Sequence, residues 1–303
     1  MKIIINSDFR DLFCLEHKRA QIYCFGKLSP SSAREYNNLI FLENSSSKIN
    51  SFFPKALGLL NTSHSLLLLS EYAESFTNLS VILSKLIFPD RNRTQKIINI
   101  GKLVLRNLNS LQRHSFEIHL GSIEKGTVET LEKLKEIRKL SDPIKQNLIK
   151  KINNSLNIIP HASKGLSHGD LGSRNILLKK SKVFFVDWEY MKKDGFLFYD
   201  PCTFITYLVM RCVQLHISSK EVCCIEKILY NYLNETQNGL AKQGQLYDNE
   251  DILNLGKCNS KIETLFEYEK QLKTGALSNF LKQRKRQISY LTYSIEKDII
   301  EQR

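Results

Sequence analysis

Leu166-Ser-His-Gly-Asp-Leu-Gly-Ser-Arg-Asn-Ile-Leu-Leu178 runs within four residues into Val183-Phe-Phe-Val-Asp-Trp-Glu-Tyr190, and most of the chemistry in the chain lies in these two segments. Asp170 closes a tight His-Gly-Asp turn, where a carboxylate is placed to accept a proton from an attacking hydroxyl. Asn175, five residues later, offers an amide oxygen to a divalent cation, and Asp187 offers a second ligand. Asp187 ends an apolar run from Val183 to Val186 that reads as a buried strand delivering its carboxylate to the same cleft. Two carboxylates and an amide in this order are what phosphoryl transfer from ATP needs: Asp170 as catalytic base, Asn175 and Asp187 as ligands of Mg2+.

His-Gly-Asp-x4-Asn and Asp-Trp-Glu, in this order and about a dozen residues apart, resemble the signatures of the aminoglycoside phosphotransferase and choline kinase group, relatives of the protein kinases. The resemblance implies an α+β, two-lobed protein-kinase-like fold. A small antiparallel β-sheet lobe over residues 1–72 would bind nucleotide and end in a hinge. A mainly helical lobe over residues 73–303 would carry the catalytic loop, the metal site and the acceptor pocket. ATP and Mg2+ are the implied cofactors, and a small molecule with a hydroxyl group is the implied acceptor.

Two departures separate the chain from a protein kinase. Gly169 stands where protein kinases carry the arginine that reads a phosphorylated activation loop. Only twelve residues separate Asp187 from Asp200 and no Ala-Pro-Glu follows, which leaves no room for such a loop. By the same resemblance Asp200, in Phe198-Tyr-Asp-Pro201, braces the catalytic loop; the alternative is that it caps the helix starting near Pro201.

Working outward, Ile3 to Ile5, Asp11 to Leu15 and Ala20 to Lys27 read as three antiparallel strands, the last two turned by Glu16 to Arg19. Lys27 ends the third, where kinase-like lobes carry the lysine that holds the α and β phosphates. Glu35 is its matching partner, since Glu35, Leu39 and Leu42 fall on one face of a helix over residues 33–42. Glu35 also suits a capping box, in which it would serve only its own helix start. No glycine precedes Gly26, so the expected phosphate loop is either a shortened one built on Asn6-Ser-Asp-Phe9 or a poor binder. A hairpin over residues 53–69, turned by residues 61–64, enters Ser70-Glu-Tyr72, where Glu71 and Tyr72 would form the adenine hinge through backbone groups.

Helical patterns follow at residues 95–111, 128–140, 144–156, 202–215, 220–234 and 277–300. At 303 residues with 42% apolar content the chain can build its own core. No run approaches the ~20 apolar residues of a membrane span, and the amino-terminal apolar stretch is too short for a signal peptide, which points to the cytoplasm. Seven cysteines without a Cys-x-x-Cys pair read as reduced thiols. The net charge of +13 suits phosphates, anionic sugars or a peripheral membrane contact. Its densest run, Lys282 to Arg286, reads as the solvated face of an amphipathic helix, and no nucleic-acid motif is present. The basic balance speaks against polyamine and choline acceptors. The stretch Asp187-Trp-Glu-Tyr-x4-Gly-x4-Asp200 is similar to family members associated with bacterial surface polysaccharide synthesis, a resemblance that implies a sugar or anionic glycan precursor. Two rivals remain, a pseudokinase that only binds a partner and a protein kinase. The intact Asp170, Asn175 and Asp187 oppose the first, and the missing activation segment the second.

Overall fold

The computed structural model describes residues 2–5, 12–17, 22–45, 48–61, 66–71, 76–86, 92–114, 124–158, 164–196, 198–237, 249–273 and 278–300. It is a two-lobed α+β structure of protein-kinase-like form. The first lobe holds β1 (Lys2–Ile5), β2 (Leu12–His17), β3 (Ile22–Leu28), helix α1 (Ser32–Ser45), β4 (Ala56–Asn61) and β5 (Leu66–Glu71). The five strands make one antiparallel sheet in the order β1-β2-β3-β5-β4. Lys27 is registered against Leu68, so the two share a face, and Leu68 is buried on the side that α1 covers. That register is why the lysine near the end of β3 points at the helix. In α1, Glu35, Leu39 and Leu42 are all buried, the face anticipated from their spacing.

The chain continues through β6 (Thr77–Asn78), α2 (Leu79–Lys85), α3 (Arg93–His114), α4 (Glu124–Glu136), α5 (Asp142–Ile158), β7 (Lys164–Ser167), β8 (Ile176–Lys179), β9 (Lys182–Phe185) and β10 (Lys192–Phe196). It ends in α6 (Tyr199–Gln214), α7 (Ser219–Gln237), α8 (Asn249–Lys273) and α9 (Ser278–Ile300). Two small sheets, β10-β7 and β6-β8-β9, frame the His-Gly-Asp turn. The large core lies among α3, α6, α7, α8 and α9, with Leu105, Phe204, Leu208, Leu229, Leu265 and Leu291 buried in it. No described helix is long and apolar enough to cross a membrane.

Three segments differ from the sequence expectations. Strand β2 runs on through Glu16 and His17, paired to Tyr23 and Ile22, so the first two residues expected in the turn belong to the strand, and β3 begins at Ile22 rather than Ala20. Helix α4 stops at Glu136 although the apolar pattern runs to Leu140. Glu269 of α8 accepts from the backbone N–H groups of both Arg138 and Lys139, at 2.9 Å each, and this holds the chain off the helical path. Helix α8 itself carries no amphipathic stripe, because Asn259, Ser260, Lys261 and Thr264 are buried alongside Leu255, Ile262 and Leu265. Lys261 is satisfied there by carboxylates from two neighbouring helices, Glu226 of α7 and Asp298 of α9, each at 2.6 Å.

Candidate active site

The His-Gly-Asp turn is held from below by Asp200. Its carboxylate accepts from Ser167 Oγ at 3.0 Å, from the His168 N–H at 2.6 Å and from the Gly169 N–H at 3.1 Å. Burial pushes the Asp200 pKa up, and the His168 charge and these donors oppose it. Asp200 makes no helix-capping bond, so of the two sequence readings the brace is the one observed. His168 completes the scaffold. Its Nδ1 accepts from the Asp170 N–H at 3.4 Å, its Nε2 bonds the Val186 carbonyl at 2.9 Å, and its ring lies 4.6 Å from that of the buried Trp188.

Gly169 adopts φ +85, and a Cβ there would sit 2.3 Å from the Tyr190 carbonyl oxygen. An L side chain is excluded twice over, by the left-handed backbone and by this close approach. The arginine of a protein kinase therefore has no place in this turn.

Asn175 donates through Nδ2 to the Asp170 carbonyl at 2.7 Å and to Asp170 Oδ2 at 3.3 Å. Its own carbonyl accepts the Val186 N–H at 3.0 Å, which ties the loop from His168 to Asn175 to the segment bearing Asp187. Asp187 takes a left-handed conformation, φ 69 and ψ 59, one that aspartate tolerates better than most side chains. This turn carries its carboxylate toward β3. Burial raises the pKa of Asp170; His168 works against the shift, and the negative charge of Asp187 adds to it.

Lys27 is the meeting point of the two lobes. Its Nζ lies 2.9 Å from Glu35 Oε2, 2.6 Å from Asp187 Oδ1 and 3.0 Å from Glu189 Oε2. Burial alone would lower the Lys27 pKa, but Glu35 and Asp187 overcome it and raise it above the ordinary lysine value. Glu35 is raised by its burial, with Lys27 opposing. The second oxygen of Glu35 accepts the Trp188 N–H at 3.3 Å, and Asn38 of α1 donates to the Trp188 carbonyl at 2.7 Å. Glu35 thus bridges lysine and Asp-Trp-Glu segment rather than capping its own helix.

Glu189 was not singled out from the sequence, although it belongs to the Asp-Trp-Glu motif. Burial acts to raise its pKa, yet hydrogen bonds from Ser31 Oγ and Lys27 bring it below the ordinary glutamate value. Glu71 stands apart from this cluster at the end of β5. Its N–H donates to the Lys55 carbonyl at 2.8 Å and its side chain accepts from the Lys55 N–H at 3.4 Å. Tyr72, its partner in the expected hinge, and Asn6 to Phe9, the expected phosphate loop, lie outside the described residues.

On the far side of the turn, Tyr207 of α6 would stand 3.8 Å from a Cβ placed on Gly172. Burial raises its pKa, and Asp170, Tyr268, Glu263 and Glu267 add to the shift. Glu263 in turn accepts from Tyr199 at 2.8 Å and pairs with Lys133 at 3.1 Å. This tyrosine and carboxylate wall was not read from the sequence, because its members sit on α6 and α8 with no motif linking them. Trp188 packs fully inside, whereas Tyr190 is 53% exposed.

The fold is of protein-kinase-like form. Among solved structures the chain is similar to a thermostable mutant of aminoglycoside phosphotransferase APH(4)-Ia, at 11% identity and a TM-score of 0.54 over 97% of this chain and 95% of that one. A ternary complex of a variant of that enzyme with AMP-PNP and hygromycin B is similar at 12% identity, with a TM-score of 0.54 over 97% and 94%. A glucosamine kinase is similar at 10% identity and a TM-score of 0.54, over 97% of this chain and 78% of that one. No family model and no curated protein matches the sequence. At these identities the likeness is one of fold, and it agrees with the fold that the two motifs imply.

Proposed function

We propose that the chain is an ATP-dependent phosphotransferase that moves the γ-phosphate to a hydroxyl of a small molecule, a sugar or glycan precursor. The observation that carries this reading is the convergence of Lys27, Glu35 and Asp187 beside a catalytic turn in which Asn175 is bonded to Asp170. Residues 1–72 would form the nucleotide lobe, with Glu71 and Tyr72 at its hinge, and residues 73–303 the lobe holding the acceptor. The donor set suits a hard divalent cation: Asn175 donates through Nδ2 and so presents Oδ1, and Asp187 and Glu189 bring ligand oxygens within 4.8 Å of each other. Mg2+, when bound, supplies charge neutralisation across the phosphate oxygens.

The chain's own residues do the rest. Lys27 binds phosphate oxygen, and Glu35 orients it through the bond seen here. Asp170 takes the proton of the acceptor hydroxyl, and its raised pKa makes it a stronger base than an ordinary aspartate. Asp200 and His168 fix the turn that presents it. The neighbours of similar fold, one a complex with AMP-PNP and hygromycin B and another a glucosamine kinase, support small-molecule acceptors in general.

The test is a split between two carboxylates. Asp187→Asn is expected to weaken Mg2+-dependent ATP binding and turnover together. Asp170→Asn is expected to keep ATP affinity while slowing transfer by roughly 10²–10⁴, the usual worth of a positioned general base. Because Asp170 is raised above 3.8, the acid limb of kcat/KM should lie above that value. Absence of nucleotide binding in the wild type would favour instead a pseudokinase acting as a binding module, in keeping with the lack of any glycine before Gly26.

A further inference from the structure

Arg174 sits inside the catalytic loop, immediately before Asn175, and Arg211 lies on α6 one turn beyond Tyr207. Both are fastened to α2. Asn78, the N-cap of that helix, donates to the Arg174 carbonyl at 2.5 Å, and Arg211 Nη2 donates to Ser84 Oγ in its last turn at 2.5 Å. The remaining contact of the Arg211 guanidinium is Nη1 to Gln214 Oε1, also neutral, and its Nε is buried with no acceptor among the described residues. No carboxylate among the described residues pairs with either arginine. Arg93 shows the alternative, since Glu221 stands 3.3 Å from it.

Arg211 is only partly exposed; burial lowers its pKa, and the positive charge of Arg174 lowers it further. Two cations held in mutual range, one of them half buried among neutral partners, leave a charge deficit that an oxyanion would repair. Helix α6 packs against the loop segment 173–175, with Tyr207 next to Gly172. Arg174 lies four residues beyond Asp170 on the same loop, and Lys27 meets Asp187 in the cleft.

We propose that Arg174 and Arg211 form a subsite for a phosphate or carboxylate group of the acceptor, so that sugar phosphates or sugar acids are bound in preference to neutral sugars. The word acceptor rests on the phosphotransferase reading; the binding of the anion does not. The tyrosine and carboxylate wall around Tyr207 and Glu263 then faces the hydroxyls of the same molecule, which can donate to it.

Calorimetric titration of the whole chain at low salt, without nucleotide, tests this with matched probes: glucose against glucose 6-phosphate, glucose against glucuronate, and glycerol against glycerol 3-phosphate. The anionic member of at least one pair is expected to bind about tenfold more tightly, the worth of one charge-assisted hydrogen bond, and the arm that does so tells phosphate from carboxylate. Arg174→Lys should keep most of the preference, and Arg174→Glu should abolish it. Arg174 is exposed, so an unchanged melting temperature confirms that the variant is folded. Equal binding within all three pairs overturns the subsite. So does a preference that survives Arg174→Glu, because it would then belong to the net charge of +13 as a whole. Anion preference without ATP binding would leave the subsite standing and remove the phosphotransferase reading; ATP binding without anion preference would do the reverse.

Discussion

Lys27 Nζ lies 2.6 Å from Asp187 Oδ1, a bond between positions 160 residues apart that fastens the strand lobe to the Asp-Trp-Glu segment. With Glu35 and Glu189 also bound, the three hydrogens of the ammonium are all engaged by carboxylates. A phosphate oxygen arriving at Lys27 has to replace one of them. Lys27→Met should therefore weaken ATP binding by roughly 10- to 100-fold, the range for hydrogen bonds to charged groups. It should also lower the melting temperature, because the buried Glu35 loses its cation. A folded Lys27→Met protein with wild-type ATP affinity would remove this lysine from the nucleotide site.

Gly169→Ala tests the turn itself. The added Cβ would meet a backbone oxygen, Tyr190 O, at 2.3 Å, and backbone cannot swing aside as a flexible side chain would. The turn must shift, and a displacement of about 1 Å at a catalytic group can cost ~10²-fold in rate. Turnover should fall by about that much, with ATP affinity much less affected. Wild-type turnover in Gly169→Ala would show that the turn tolerates movement and that its geometry is not what positions Asp170.

Asp200→Ala strips the acceptor from Ser167 Oγ and from the His168 and Gly169 N–H groups. Each buried donor left unpaired costs ~1–3 kcal/mol, so a loss of about 3 kcal/mol or more is expected in urea unfolding. Asp200→Asn keeps one acceptor oxygen and should fall between wild type and Asp200→Ala. Equal stability of all three proteins would contradict the brace.

Glu221 provides a pH signature away from the site. Hydrogen bonds from Ser218 and Thr94, with Arg93 beside them, outweigh burial and hold its carboxyl down at about 2, from an ordinary 4.5. A depressed carboxylate contributes stability that is fully present above its unfolded pKa and is lost as pH falls through its folded one. The melting-temperature gap between wild type and Glu221→Gln should accordingly shrink between about pH 4.5 and pH 2. A gap that stays constant across that window would mean that the interactions are not those of the ionised form.

The local chemistry was legible in the sequence because it is written in short segments. His168 to Asn175 and Asp187 to Glu189 each form one turn or strand end, and the spacing of Glu35, Leu39 and Leu42 marks one face of one helix. What these residues bond to was not legible. Glu35 fits a cap or an ion pair equally well by spacing, and the register that faces Lys27 toward α1 decided for the pair. The net charge gave a sum with no positions. The fold spends most of the carboxylates near the site on Lys27 and Lys133, and leaves Arg174 and Arg211 beside neutral groups.

Helix α8 marks the boundary most sharply. Periodicity reveals a helix only when one face meets water, and Lys261 is buried in α8 because Glu226 and Asp298 reach it from α7 and α9. The sequence alone determined the reactive groups and the class of fold that could present them. The tertiary structure alone decided which charges are neutralised and which stand open to a ligand, because ion pairs form between residues brought together from far along the chain, and sequence spacing carries no record of that distance.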